Sequence, residues 1–199
     1  MTATSVSIPG YLKGSAELAR SPVTPDDLAL LKKTLLLEED DLSHLRLSRE
    51  VLADQVEAIL DVWYGFVGAN PHLLDSFRDS AAGQPDGAYL AAVRKRFGQW
   101  ILDTAEVRFD QAWLDWQHEI GLRHHRTKKN KIDNVKAAAH IPYRYMIALV
   151  YPITATLKPF LAKKGHPAET VEKMHAAWTK AVLLQAILWT WPYVKAGDF

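Results

Sequence analysis

Eight histidines, at positions 44, 72, 118, 124, 125, 140, 166 and 175, are the side chains of this chain best suited to hold a metal or carry a proton near neutral pH. There is no cysteine, which excludes disulfides, thiolate nucleophiles, zinc fingers, Cys-ligated iron–sulfur clusters and a thiolate axial ligand. A bound metal must therefore be held by histidine or carboxylate. Helical spacing separates the histidines. At about 100° per residue, Trp113, Trp116 and Ile120 set one direction around a helix; His124 lies about 50° from it and His125 about 150° away. His124 points with the apolar stripe and His125 away from it. An imidazole at the inner edge of such a stripe needs partners for its nitrogens, because an unpaired buried polar group costs on the order of 1–3 kcal/mol. A backbone carbonyl is one candidate partner. The other is an axial bond to iron, since a flat porphyrin requires apolar walls and one neutral imidazole. Zinc fits less well, because two-histidine helical sites favour an i, i+4 pair and the positions four away from His124 are Ile120 and Lys128. His118 and His125 share a face, yet they are seven apart and have no third ligand nearby.

Other patterns carry less. Arg123, Arg126, Lys128, Lys129 and Lys131 form a basic run without an acid. It suits the C-terminal end of a helix dipole, and no aromatic residues are interleaved with it as stacking platforms, so a nucleic-acid partner is not expected. Nor does a net charge of +1, from 24 Lys+Arg against 23 Asp+Glu, create a field that would draw the chain to polyanions. No glycine-rich phosphate loop or nucleophile motif is present.

Helices must position these groups. Residues 1–23, with Pro9, Gly10, Gly14 and Pro22, read as an extended arm. Thr24-Pro25-Asp26-Asp27 reads as a helix start, with Thr as cap, Pro at the first helical position and two acids at the positive end of the dipole. From Leu42 onward apolar residues recur at helical spacing with no sustained alternation. Leu52, Val56, Ile59, Leu60, Trp63 and Val67 form one stripe, which ends before Asn70-Pro71; Leu90, Val93, Phe97 and Ile101 form the next. Ile141 to Lys164 is apolar nearly all round and predicts one buried helix bent at Pro152. After Gly165, Val171, Met174, Trp178, Val182, Gln185 and Trp189 fall three or four apart in a last helix. With 199 residues, 48% of them apolar, the chain can build one real core. One all-α domain over residues 24–199, preceded by the arm, is the organisation expected. The first residues lack a secretory signal and the longest apolar run is too short to span a bilayer, so a cytoplasmic chain with no membrane partner is expected.

The segments DQVEAILDVWYGFVGANPHLL (54–74), YLAAVRKRFGQWILDT (89–104), DQAWLDWQHEIGLRHHRTKKN (110–130), YPITATLKPFLAKKG (151–165) and WPYVKAGDF (191–199) closely resemble the protoglobins, single-domain globins of archaea and some bacteria that are related to globin-coupled sensors. The likeness runs from Ile8 to the C-terminus and is weakest over residues 12–49 and 136–140. It implies a three-over-three globin sandwich with an additional N-terminal helix, and an arm over the edge of haem b. In the resemblance His124 corresponds to the proximal ligand, Trp63 and Tyr64 to the distal Trp-Tyr pair, and Phe77 and Phe97 to distal phenylalanines. Val93 stands where many globins carry a distal histidine, which leaves the Tyr64 hydroxyl as hydrogen-bond donor. Val67 and Leu149 complete the pocket, and Arg96, beside Phe97 on the same helix, is a candidate for a propionate contact. Leu149 is a departure, since the family often shows Phe in that segment; a smaller side chain there implies a larger cavity.

The function implied is reversible binding of O2, CO and NO at an open distal iron position, as carrier, scavenger or sensor, by a homodimer joined through the last two helices. A haem enzyme, with peroxide or NO chemistry or carbene or nitrene transfer to a non-natural substrate, is the alternative, because iron and axial ligand serve both. A haem-free helical regulatory module is a third reading.

Overall fold

The periodicity is realised as helices throughout. The protein, as a computed structural model that describes residues 8–195 and 197–199, contains α1 (Pro25–Thr34), α2 (Glu39–Leu52), α3 (Val56–Ala69), α4 (Pro71–Leu74), α5 (Gly87–Glu106), α6 (Gln111–His124), α7 (Tyr143–Ala148), α8 (Val150–Leu161) and α9 (Ala168–Thr190), with short 3₁₀ turns at Asp75–Phe77 and Trp191–Tyr193. Among the described residues there is no strand, only an isolated bridge between Arg78 and Pro85. No described helix is long and apolar enough to cross a membrane.

Local chemistry starts the helices. Thr24 caps α1 and forms a reciprocal capping box with Asp27. Asp86 accepts from the Tyr89 amide to open α5, and Asp110 accepts from the Trp113 amide to open α6, each satisfying one of the free N–H groups of a first turn. The helices then pack around α9, which touches α2, α6, α7 and α8, while α5 lies on α2 and α3, and α3 also meets α8. Met174, Trp178, Val182, Gln185 and Trp189 are all buried, as their spacing requires. Burying so many indoles leaves N–H donors in the core that need acceptors. Trp178 donates to Ser48 Oγ of α2, Trp100 to Gln185 Oε1 and Trp189 to Gln117 Oε1, each at 2.7 Å. These bonds tie α2, α5 and α6 to α9. The all-helical architecture, with α1 added ahead of the packed helices, is that of the expected globin class.

Three local expectations are corrected. The apolar run from Ile141 to Lys164 is two helices, broken at Leu149. Pro152 lacks the N–H that would bond the Ala148 carbonyl, so the ladder is interrupted one turn before it. This segment is not buried all round, since Tyr143, Ile147 and Tyr151 are exposed. Leu52 closes α2 rather than opening the α3 stripe, because the chain turns over Ala53–Gln55. Finally, the described part of the N-terminal arm, residues 8–23, has no helix yet is fastened down. The Tyr11 hydroxyl donates to Asp103 at 2.8 Å, the Ser21 amide donates to Asp115 at 2.7 Å, and Val23 is buried. Residues 1–7 of the arm lie outside the described residues.

Candidate cofactor site

α6 carries His124 to the end of its last turn, where the chain leaves the helix at His125. The His124 Nδ1 lies 2.8 Å from the Ile120 carbonyl. A carbonyl only accepts, so Nδ1 carries the proton and Nε2 keeps its lone pair, turned away from the helix. Burial lowers the pKa of His124, so the ring is neutral near pH 7. Both sequence readings of this histidine hold at once: one nitrogen takes a carbonyl and the other stays available. The ring lies flat against Trp189 of α9, with centroids 5.7 Å apart and planes 7° apart. Gly121 makes that approach possible. A Cβ there would stand 2.9 Å from the Trp189 carbonyl oxygen and 3.0 Å from its Cα, distances that backbone atoms do not tolerate.

Much of the remaining wall comes from α3, α4, α5 and the α7–α8 junction. Trp63, Val67 and Leu73 form a small apolar cluster, against which Phe77, Phe97, Tyr145, Leu149 and Ile153 pack. Trp63 meets Phe97 edge-on at 5.8 Å, and Phe77 meets Tyr89 at 5.5 Å. Tyr64 is half-buried, and burial raises its pKa well above the ordinary phenol value, which keeps it protonated. Its hydroxyl has no hydrogen-bond partner among the described residues.

The rim is polar. Arg96 grips Asp133 with both guanidinium arms, at 2.9 and 2.7 Å, and also donates to the Pro9 carbonyl. Arg123 donates to Glu119 at 2.8 Å and to the Gly10 carbonyl. Burial pushes the Glu119 carboxyl up, but hydrogen bonds from Lys128 and Arg123 hold it below its ordinary value. Lys129 is buried at 7% exposure and donates to the Ser76 carbonyl, the Tyr89 hydroxyl and Asn130 Oδ1. Burial lowers its ammonium to about 8. Gly10 sits in the left-handed region at φ 77, with the Arg96 guanidinium 2.8 Å from where its Cβ would be.

All nine side chains singled out in the sequence, Trp63, Tyr64, Val67, Phe77, Val93, Arg96, Phe97, Leu149 and His124, stand on the wall of one cavity of about 260 Å³. That is roughly twenty times the space one water needs. Arg96 reaches this wall, but its fork is filled by Asp133. Tyr11, Tyr89, Trp116, Arg123, Lys129 and Trp189 line it too; helical spacing marked Trp116 and Trp189 as members of apolar stripes, but none of the six as part of the site. For Lys129 the sequence offers only a basic run, and burial within such a run is decided by what folds over it.

These residues fit an iron porphyrin. Among the described residues no three His, Asp or Glu side chains stand close enough to share a metal ion, so a metal bound at His124 must bring its other ligands with it. A porphyrin does this, and the apolar walls accept its face. The fit rests on one neutral imidazole with an available Nε2 on the same cavity as a Trp, Phe and Tyr wall.

A search of curated proteins returns no match to this chain. The family model for Protoglobin matches residues 24–199, everything after the arm. The chain therefore belongs to the protoglobin family, the globins that bind haem and small gas ligands.

Proposed function

We propose that this protoglobin holds haem b through His124 Nε2 and binds O2, CO and NO on the opposite side of the ring. The observation that carries the reading is the pairing of a neutral, carbonyl-oriented imidazole with an unpartnered Tyr64 hydroxyl on the same apolar cavity. Haem, when bound, would supply an iron able to take a diatomic gas. The Ile120 carbonyl and the Trp189 ring hold the imidazole in one tautomer and one plane. Trp63 and Phe97 form the wall that limits the size of an entering ligand. The Tyr64 hydroxyl, with no protein acceptor to compete, is the donor for a polar gas such as O2. Segment 8–23, which Tyr11 and Gly10 fasten to Asp103 and Arg123 beside the cavity, would cover the edge of the porphyrin.

Absorption spectra of the purified, haem-supplied protein test this reading. The expected result is a Soret band that shifts on reduction with dithionite and again on adding CO. A colourless protein overturns it in favour of a haem-free helical module. Replacing Leu149 by Phe narrows the wall beside Trp63 and Val67 and should slow CO rebinding after photolysis; unchanged kinetics would remove Leu149 from the ligand path.

The same reading includes a homodimer and a cytoplasmic location. α9 exposes only Ala168, Glu169, Glu172, Lys173 and Ala176, a largely charged face, so the apolar part of the dimer face is assigned to the exposed Tyr143, Ile147 and Tyr151 at successive four-residue steps along α7 and α8. Tyr151→Lys is expected to convert a dimer to monomer in sedimentation velocity; a wild-type monomer would contradict the assignment.

A further inference from the structure

Four tyrosines line the cavity, and their hydroxyls face different partners. Tyr64 has no acceptor among the described residues, Tyr89 accepts from the Lys129 ammonium, and Tyr145 accepts from Arg144. Tyr11 alone of the four donates to a carboxylate, Asp103 Oδ2 at 2.8 Å. The difference is chemical. A phenol that loses one electron becomes a strong acid, so it is oxidised readily only where a base already holds its proton, and a cation beside the hydroxyl opposes the loss. Burial, and then Asp103 itself, raise the Tyr11 pKa, so the hydroxyl keeps its proton near pH 7 until an electron leaves.

Asp103 is placed to take that proton. It is buried in the last turn of α5, where the helix dipole disfavours a negative charge. Its carboxylate is held by Lys13 Nζ at 2.9 Å and Gln99 Nε2 at 2.8 Å. When it is neutralised, Lys13 still has Glu106 at 3.4 Å. The indoles nearby are poorer resting places for a positive charge. Trp116, whose ring centroid is 4.7 Å from that of Tyr11, lies under the Arg123 guanidinium at 5.1 Å, a cation that disfavours a second one on the ring. Trp100 and Trp189 bond the amide oxygens of Gln185 and Gln117, which are too weakly basic to remove an indole proton.

We propose that Tyr11 and Asp103 form a proton-coupled electron donor on the cavity wall, through which the protein reduces hydroperoxides; the inference rests on the reading of the cavity as a haem site. Haem, when bound, would supply the site where hydrogen peroxide takes up two electrons and two solvent protons and its O–O bond breaks to give two molecules of water. Tyr11 supplies those electrons one at a time, directly or across Trp116. With each electron its phenolic proton passes to Asp103 Oδ2, which leaves a neutral phenoxyl radical beside a neutral carboxylic acid. Tyr11 is half-buried, within reach of a small one-electron reductant such as ascorbate. One electron from the reductant and the proton returned by Asp103 restore the phenol and the carboxylate.

The test mixes the hemin-loaded ferric protein with equimolar hydrogen peroxide, freezes it, and records the organic-radical signal by electron paramagnetic resonance, with ring-deuterated tyrosine or tryptophan incorporated to identify the ring. The expected signal is narrowed by deuterated tyrosine and not by deuterated tryptophan, and it is lost in Tyr11→Phe, which keeps the ring against Trp116. Asp103→Asn should lower its yield at least about tenfold, the scale of a hydrogen bond to a charged group. Peptide mass spectra of the Tyr11→Phe protein should then show oxidation moved to the cavity tryptophans. A signal narrowed only by deuterated tryptophan overturns the proposal, as does one that survives in Tyr11→Phe or is undiminished in Asp103→Asn. If Asp103→Asn fails to fold, the wild type reads the same proton transfer: the radical should form more slowly in heavy water, and equal rates overturn the proposal. A helical wild-type protein that takes up no hemin overturns the haem reading itself, an outcome distinct from a loaded protein that forms no tyrosyl radical.

Discussion

His124→Gly is expected to abolish stable haem retention, with affinity falling at least about a hundredfold, which corresponds to about 2.7 kcal/mol. The variant removes the imidazole on the cavity wall that combines a carbonyl-bound Nδ1 with an available Nε2. His125, the neighbouring ring, cannot take over. It bonds Thr127 at 2.7 Å and lies edge-on to Tyr193 at 5.0 Å, and it is not part of the cavity lining. Free imidazole added to the glycine variant should restore the ferrous CO spectrum, because the space left against Trp189 is shaped for that ring. A glycine variant that keeps the wild-type ferrous spectrum without added imidazole would show that another residue is the ligand.

Tyr64→Phe should raise the O2 dissociation rate about tenfold or more while changing CO dissociation little. The substitution deletes one oxygen and keeps the ring, so packing against Trp63, Phe97 and the rest of the wall survives. What is lost is a buried donor with no competing acceptor in the protein; such a bond contributes about 1.5–3 kcal/mol when its partner carries charge. Dioxygen gains partial negative charge on binding ferrous iron and carbon monoxide far less, so the two gases separate the polar effect from a steric one. Stopped-flow displacement of each gas measures the rates. Equal acceleration of both would mean that Tyr64 acts by bulk alone, and no change in either would place the donor elsewhere. Val93, in the position where many globins carry a histidine, offers no alternative donor on α5.

Much of this site was legible before any tertiary contact was known. The direction of His124 followed from three apolar residues on its own helix, and the structure puts it on one cavity wall with Trp63, Tyr64, Phe77 and Phe97. The cap at Thr24 behaved the same way, since it depends on residues within one turn, whereas of the α5 stripe only Ile101 is buried in the core, with Val93 and Phe97 half-buried on the cavity wall. Misreadings came where a local pattern was ambiguous. Pro152 read as a bend and proved to be a break, and the apolar surplus of α7 and α8 read as burial but leaves Tyr151 at 79% exposure.

Sequence by itself determined that the protein is helical, that cysteine ligation is impossible, and that one histidine faces an apolar interior, because these are properties of composition and of neighbours within a helix. Only the tertiary structure decided which charges are matched at the rim. Arg96 meets Asp133 across 37 positions and Arg123 meets Gly10 across 113, pairings that no periodicity encodes. The same holds for Gly121, whose missing Cβ admits the Trp189 backbone from α9. Burial of Lys129 likewise depends on Ser76 and Tyr89 arriving from other segments. Helical direction is set by neighbours along the chain, whereas the electrostatic balance of a cavity is set by which segments the fold brings around it.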